Sequence, residues 1–87
     1  MVTYPIRVER TSYRGADPKK GAKAADYNRD AAMLEEHINA QIRNGKLGVF
    51  HYSTIAHEVG LPEKRVSQIL FSVDCGHNGF TVVKGRE

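Results

Sequence analysis

A chain of 87 residues with 40 % hydrophobic and 26 % charged side chains is expected to fold as one soluble domain, burying roughly 60 % of its unfolded surface. No apolar run approaches the roughly 18 residues of a membrane span, the charged opening MVTYPIRVERTSYRG does not read as a signal peptide, and Cys75 alone excludes an internal disulfide. A cytoplasmic location follows as the expectation, and the net charge of +3 is held in one place: Arg14, Lys19, Lys20, Lys23 and Arg29 against Asp17 and Asp26, while residues 30 to 87 carry one more acid than base.

Tyr4, Ile6 and Val8 alternate with Arg7 and Glu9, the period of a half-buried strand, so residues 4 to 10 read as an edge strand with Pro5 near its start. From Tyr13 to Lys23 the run YRGADPKKGAK has glycines, a proline and basic residues but no clear apolar period, and reads as a flexible basic arm. Residues 1–29 are thus expected to be an edge strand plus arm. Ala31, Leu34, Ile38 and Ile42 then step by three or four, predicting an amphipathic helix with Glu35, Glu36, Asn39 and Arg43 on its polar side. Asp30 or Asn28 is available to cap it, and Gly45 to close it in the left-handed conformation. KLGVFHY, residues 46 to 52, is β-prone.

Ser53 reads as the N-cap of a short helix that Gly60 ends. Pro62 suits the entrance of the next helix, residues 62 to 72, because it has no amide hydrogen to leave unpaired. There Val66, Ile69, Leu70 and Val73 form the inward stripe. Gly76 is the expected stop, Phe80 to Val83 the last strand, and residues 85–87 a frayed tail.

The stretch YSTIAHEVGLPEKRVSQILF, residues 52 to 71, places a small residue at Ala56, a glycine corner at Gly60 and apolar positions at Ile55, Val59, Leu61, Val66 and Ile69. It resembles the helix-turn-helix of DNA-binding regulators. With a helix before it and a strand after it, residues 30–84 resemble a winged-helix domain. The resemblance implies an α+β, mainly α fold: three helices with a small two- or three-stranded antiparallel sheet. The chain departs from it in the wing, which the few residues between the last helix and the final strand leave stunted. It also implies insertion of the second helix of the pair in a major groove. The implied DNA-contacting set is Ser53, Pro62, Glu63, Lys64, Arg65, Ser67 and Gln68, with Phe71 beside them. Arg14, Lys19, Lys20 and Lys23 of the arm would supply the phosphate attraction that the near-neutral helical part lacks. Gln matches adenine, Lys and Arg match guanine, and Glu matches cytosine N4.

His51, His57, Cys75 and His77 are of metal-ligand type, but their spacing fits no zinc signature, and neither a Ser/His/Asp set nor a phosphate-binding glycine loop stands out. No enzymatic activity and no cofactor are therefore expected. The leading expectation is a small regulator of transcription or of a mobile element with double-stranded DNA as partner. The alternative is a protein interaction module, an inhibitor or adaptor. RNA association ranks third, and homodimerisation stays open.

Overall fold

The computed structural model of the chain describes residues 2–73 and 78–83. Its elements are β1 (Val2–Thr3), α1 (Pro18–Arg43), β2 (Gly48–His51), α2 (Tyr52–Val59), α3 (Glu63–Leu70) and β3 (Gly79–Val83). The fold is α+β and mainly helical, as expected. The sheet is not: its order is β1-β3-β2, with β2 antiparallel and β1 parallel to β3, so the expected antiparallel sheet is mixed. Val2 and Thr3 pair with Val82 and Val83, a contact between opposite ends of the described chain that no local pattern announces.

The long helix α1 overturns the expectation of a flexible arm. Asp17 caps it by accepting the Lys19 amide at 2.9 Å, and Pro18 occupies the first turn, where a missing N–H costs nothing. Ala24 and Tyr27 extend the inward stripe of Ala31, Leu34, Ile38 and Ile42 backward at the same spacing. Helix formation thus runs straight through residue 29. Neither Asn28 nor Asp30 is a cap. The other end behaves as expected: Arg43 lies in the last turn and Gly45 has φ +98°.

The expected strand at residues 4 to 10 is also displaced. Regular pairing stops at Thr3, yet Ile6 and Val8 are buried as the period of two predicts. Their backbone partners are side chains of α1. Asn39 accepts the Ile6 amide at 2.9 Å and donates to its carbonyl at 3.1 Å. Glu35 accepts the Val8 amide at 2.9 Å. Asn28 makes the same two-way exchange with Thr11, both bonds 2.8 Å. Eleven steps of helix from Asn28 to Asn39 advance about 16 Å at 1.5 Å each, and five steps of extended chain from Ile6 to Thr11 advance about 16 Å at 3.3 Å each. The two spacings stay in register, so residues 6–11 form a strap running antiparallel along α1. Asn39, expected on the solvent side, is buried for this reason.

β2 runs directly into α2. Tyr52, not Ser53, begins the helix, because His51 is still extended and paired with Gly79. The Tyr52 amide finds its partner at the Asn78 carbonyl, 2.9 Å away. Ser53 makes no cap and is exposed in the first turn. Gly60 takes φ +75°, ψ +27° and donates to Ala56 at 2.9 Å, the left-handed closure that only glycine adopts without strain. Pro62 precedes α3 as its N-cap, and its carbonyl accepts the Val66 amide. α3 ends at Leu70, shorter than the expected helix to residue 72. Val73 is folded back by a 2.9 Å bond to the Leu70 carbonyl and packs against the core from outside the helix.

The core lies between α1, the α2–α3 pair and one face of the sheet. Phe50 and Phe80, directly opposed across β2 and β3, stack with centroids 5.7 Å apart, and Tyr52 tilts onto Phe80 at 6.3 Å. Gly76, Cys75, His77 and residues 85–87 lie outside the described residues. Among the described residues, β3 pairs with β1 and β2. No helix among them is long and apolar enough to cross a membrane.

Candidate nucleic-acid interface

α3 is amphipathic over its eight residues, and burying Val66, Ile69 and Leu70 turns Lys64, Gln68 and Phe71 to the opposite side. Lys64 and Gln68 are exposed, Phe71 is 53 % exposed, and Glu63 and Pro62 are exposed at the helix entrance. Ser67 flanks this face and donates its hydroxyl to the Lys64 carbonyl at 2.9 Å. Its oxygen can still accept.

Arg65 departs from the expected set. Its Nε donates to Asp30 Oδ2 at 3.1 Å, and its guanidinium lies 5.5 Å from the centre of the Tyr27 ring. Asp30 and Tyr27 both belong to α1, so Arg65 braces α3 against that helix and holds the neighbouring Lys64 and Gln68 outward. A second brace fixes α2: Glu58 Oε1 lies 3.2 Å from His37 Nε2 and 3.1 Å from Gln41 Nε2. The His37 hydrogen bond, then that of Gln41, holds the Glu58 carboxyl below the usual carboxylate range, against the opposing pull of burial.

These braces reveal an order in α1. The strap is held by residues 28, 35 and 39, and the helical pair by residues 30, 37 and 41. Both sets follow the spacing i, i+7, i+11, which keeps each on one line along a helix. Two polar stripes therefore flank the apolar one.

The basic residues expected on an arm sit on the first turns of α1 instead. Lys19, Lys20 and Lys23 are exposed, and Arg14 is exposed in the turn before them. Lys23 lies three residues from Lys20 and four from Lys19, so like charges adjoin on one face. The first turn contains no acid, and the capping Asp17 carboxylate offsets only part of the positive potential of the helix start. Among the described residues, none of these lysines has an ion-pair partner. Lys20, Lys23 and Arg65 line one open groove of about 560 Å³, whose far wall is residues 9–13 of the strap. The groove brings the basic half of α1 to the edge of α3.

Comparison of the chain with protein families, with curated proteins and with solved structures gave no match.

Ser53 is the one expected contact on α2, apart from both the α3 face and the lysines in sequence. Glu9, Arg10, Tyr13 and Tyr27, which also line the groove, were not singled out as site residues by sequence reasoning. The signal for Tyr27 existed: it lies four residues before Ala31 on the inward stripe. His51 and His57 are exposed, and no group of three metal-ligand side chains gathers among the described residues.

Proposed function

We propose that the protein is a small DNA-binding regulator of the winged-helix kind. Lys64 and Gln68 of α3 read a major groove, and Arg14, Lys19, Lys20 and Lys23 hold adjacent phosphates. The observation carrying this reading is the unneutralised lysine cluster at the start of α1, set beside the exposed face of α3. Like charges adjoining at a positive helix end oppose folding. An anion bound there reverses that penalty. The order helix, strand, helix, helix, strand and the glycine corner support the reading at the level of fold. Arg65 serves as a positioning residue, which replaces the base-reading role expected from sequence.

The test is a titration of random duplex DNA at about 50 and 200 mM salt, the range over which phosphate contacts lose most of their strength. Four such contacts give a log–log slope of about −3.6. Lys20→Glu with Lys23→Glu flattens the slope and weakens binding to all sequences. Lys64→Ala with Gln68→Ala instead weakens preferred sites most, by about 1 to 3 kcal/mol per base pair read. A salt-independent affinity, or none, overturns the proposal. A second reading rests on Phe71: a large apolar ring on the same face suits a protein partner. Binding by that route is insensitive to salt and is lost with Phe71→Ala.

A further inference from the structure

The groove between the strap and α1 is larger than a phosphate contact needs. Its volume of about 560 Å³ falls in the range of roughly 300–1,000 Å³ typical of small-molecule sites. Two kinds of chemistry meet in it. Lys20 and Lys23 have no ion-pair partner among the described residues, and Glu9 contributes a carboxylate to the same lining, outweighed by the cations around it. Across from them stands Tyr13, 37 % exposed, with a ring held in a fixed attitude. Its hydroxyl accepts the Asp17 amide at 3.2 Å. The ring also covers Gly15, where a side chain would strike it, and lies against Gly21. Thr11 and Ser12 add hydroxyls between the two, and the two-way bond to Asn28 pins the wall that carries them.

A bare anion uses only the lysines. A planar group with an attached phosphate uses both halves of the groove. Tyr27 is less available as a platform because Arg65 already covers its ring.

We propose that this groove binds a nucleotide unit, with its phosphate on Lys20 and Lys23 and its base against Tyr13. The unit arrives either as a free nucleotide or as an unpaired residue of a single strand, since a duplex keeps its base faces stacked inside. The site shares Lys20 and Lys23 with the proposed duplex contact but uses Tyr13 rather than α3, so the two are told apart by the probe that shifts the groove.

The experiment is an amide NMR titration of the full-length protein at about 150 mM salt with adenosine monophosphate, decathymidylate, inorganic phosphate and a blunt duplex. One or both nucleotide probes shift the amides of residues 11–13 and 20–24, at least tenfold more tightly than inorganic phosphate. Shifts with the monophosphate indicate a free nucleotide, and shifts with decathymidylate alone indicate a single strand. Tyr13→Leu lowers nucleotide affinity about tenfold, the size expected for one stacked base, and leaves phosphate affinity unchanged. Tyr13→Phe, which keeps the ring face and loses the hydroxyl's bond to the Asp17 amide, binds nucleotide more tightly than the leucine variant and guards against a folding defect in it. Lys20→Glu with Lys23→Glu abolishes binding of both probes. Equal affinity for phosphate and nucleotide, or the absence of shifts in the groove, overturns the inference. Duplex-induced shifts at residues 20–24 and 63–68, with no groove shifts from either nucleotide probe, overturn it while sparing the DNA-reading proposal.

Discussion

Asn39 shows how one side chain can decide where a segment goes. It is 8 % exposed and presents one acceptor and one donor to Ile6 as a neighbouring strand would. Asn39→Leu keeps the volume but leaves the Ile6 amide and carbonyl without partners, an expected loss of about 2–4 kcal/mol, measurable by urea unfolding. Hydrogen exchange at Ile6 should rise in step. A loss under about 0.5 kcal/mol, the scatter of surface substitutions, would mean the strap is not held by this exchange. The lysines of α1 predict the opposite sign. Lys20→Glu removes a like-charge neighbour of Lys23 and places an acid at a positive helix end, so stability should rise by about 0.3–1 kcal/mol. For a domain of this size that is a gain of up to roughly 8 °C in melting temperature. Phosphate-dependent binding falls in the same variant. Such a divergence marks a position held for binding at the expense of folding.

Among elements, α1 is the frame onto which the others are fastened, and its two polar braces can be tested separately. Arg65 and Asp30 have side chains 32 % and 14 % exposed, so solvent screens the pair only in part. A double-mutant cycle of Arg65→Ala and Asp30→Ala should show a coupling of about 1 kcal/mol, and Arg65→Ala alone should weaken duplex binding by loosening α3. The α2 brace responds to pH. The folded Glu58 carboxyl titrates below its unfolded value because of His37 first and Gln41 second. Its contribution is therefore complete above the unfolded value, about 4.3, and is lost as pH falls through the lower folded value. Glu58→Gln should flatten the stability profile below about pH 4.3. An identical acid limb in that variant would remove Glu58 from the account.

At the scale of the whole molecule, what the sequence made legible is what local signals encode. The glycine corners at 45 and 60, the stripe Val66, Ile69, Leu70 and the β-prone run before Tyr52 all appear where their patterns place them. The exposed Lys64 and Gln68 follow from the same stripe. The start of α1 was also encoded, in Asp17-Pro18 and in Ala24 and Tyr27, but Gly21 weighs against a helix by propensity and the adjoining lysines by like-charge repulsion, and contacts with the rest of the molecule offset them. The strap was hidden because its partners lie 33, 27 and 17 residues away. The groove depends on strap and helix together and could not be read from either. A peripheral edge segment and an integrated strap make opposite predictions about removing residues 2–12. A peripheral segment comes away without loss of stability. The strap carries Ile6 and Val8, 1 % and 4 % exposed, each worth about 1.5–3 kcal/mol in burial. Its removal also leaves Asn39 without its Ile6 partner and strips β1 from β3. The combined loss takes up much of the roughly 5–15 kcal/mol available to a domain, so the truncated chain should lose its cooperative thermal transition. An unchanged melting temperature in the shortened protein would place these residues outside the core.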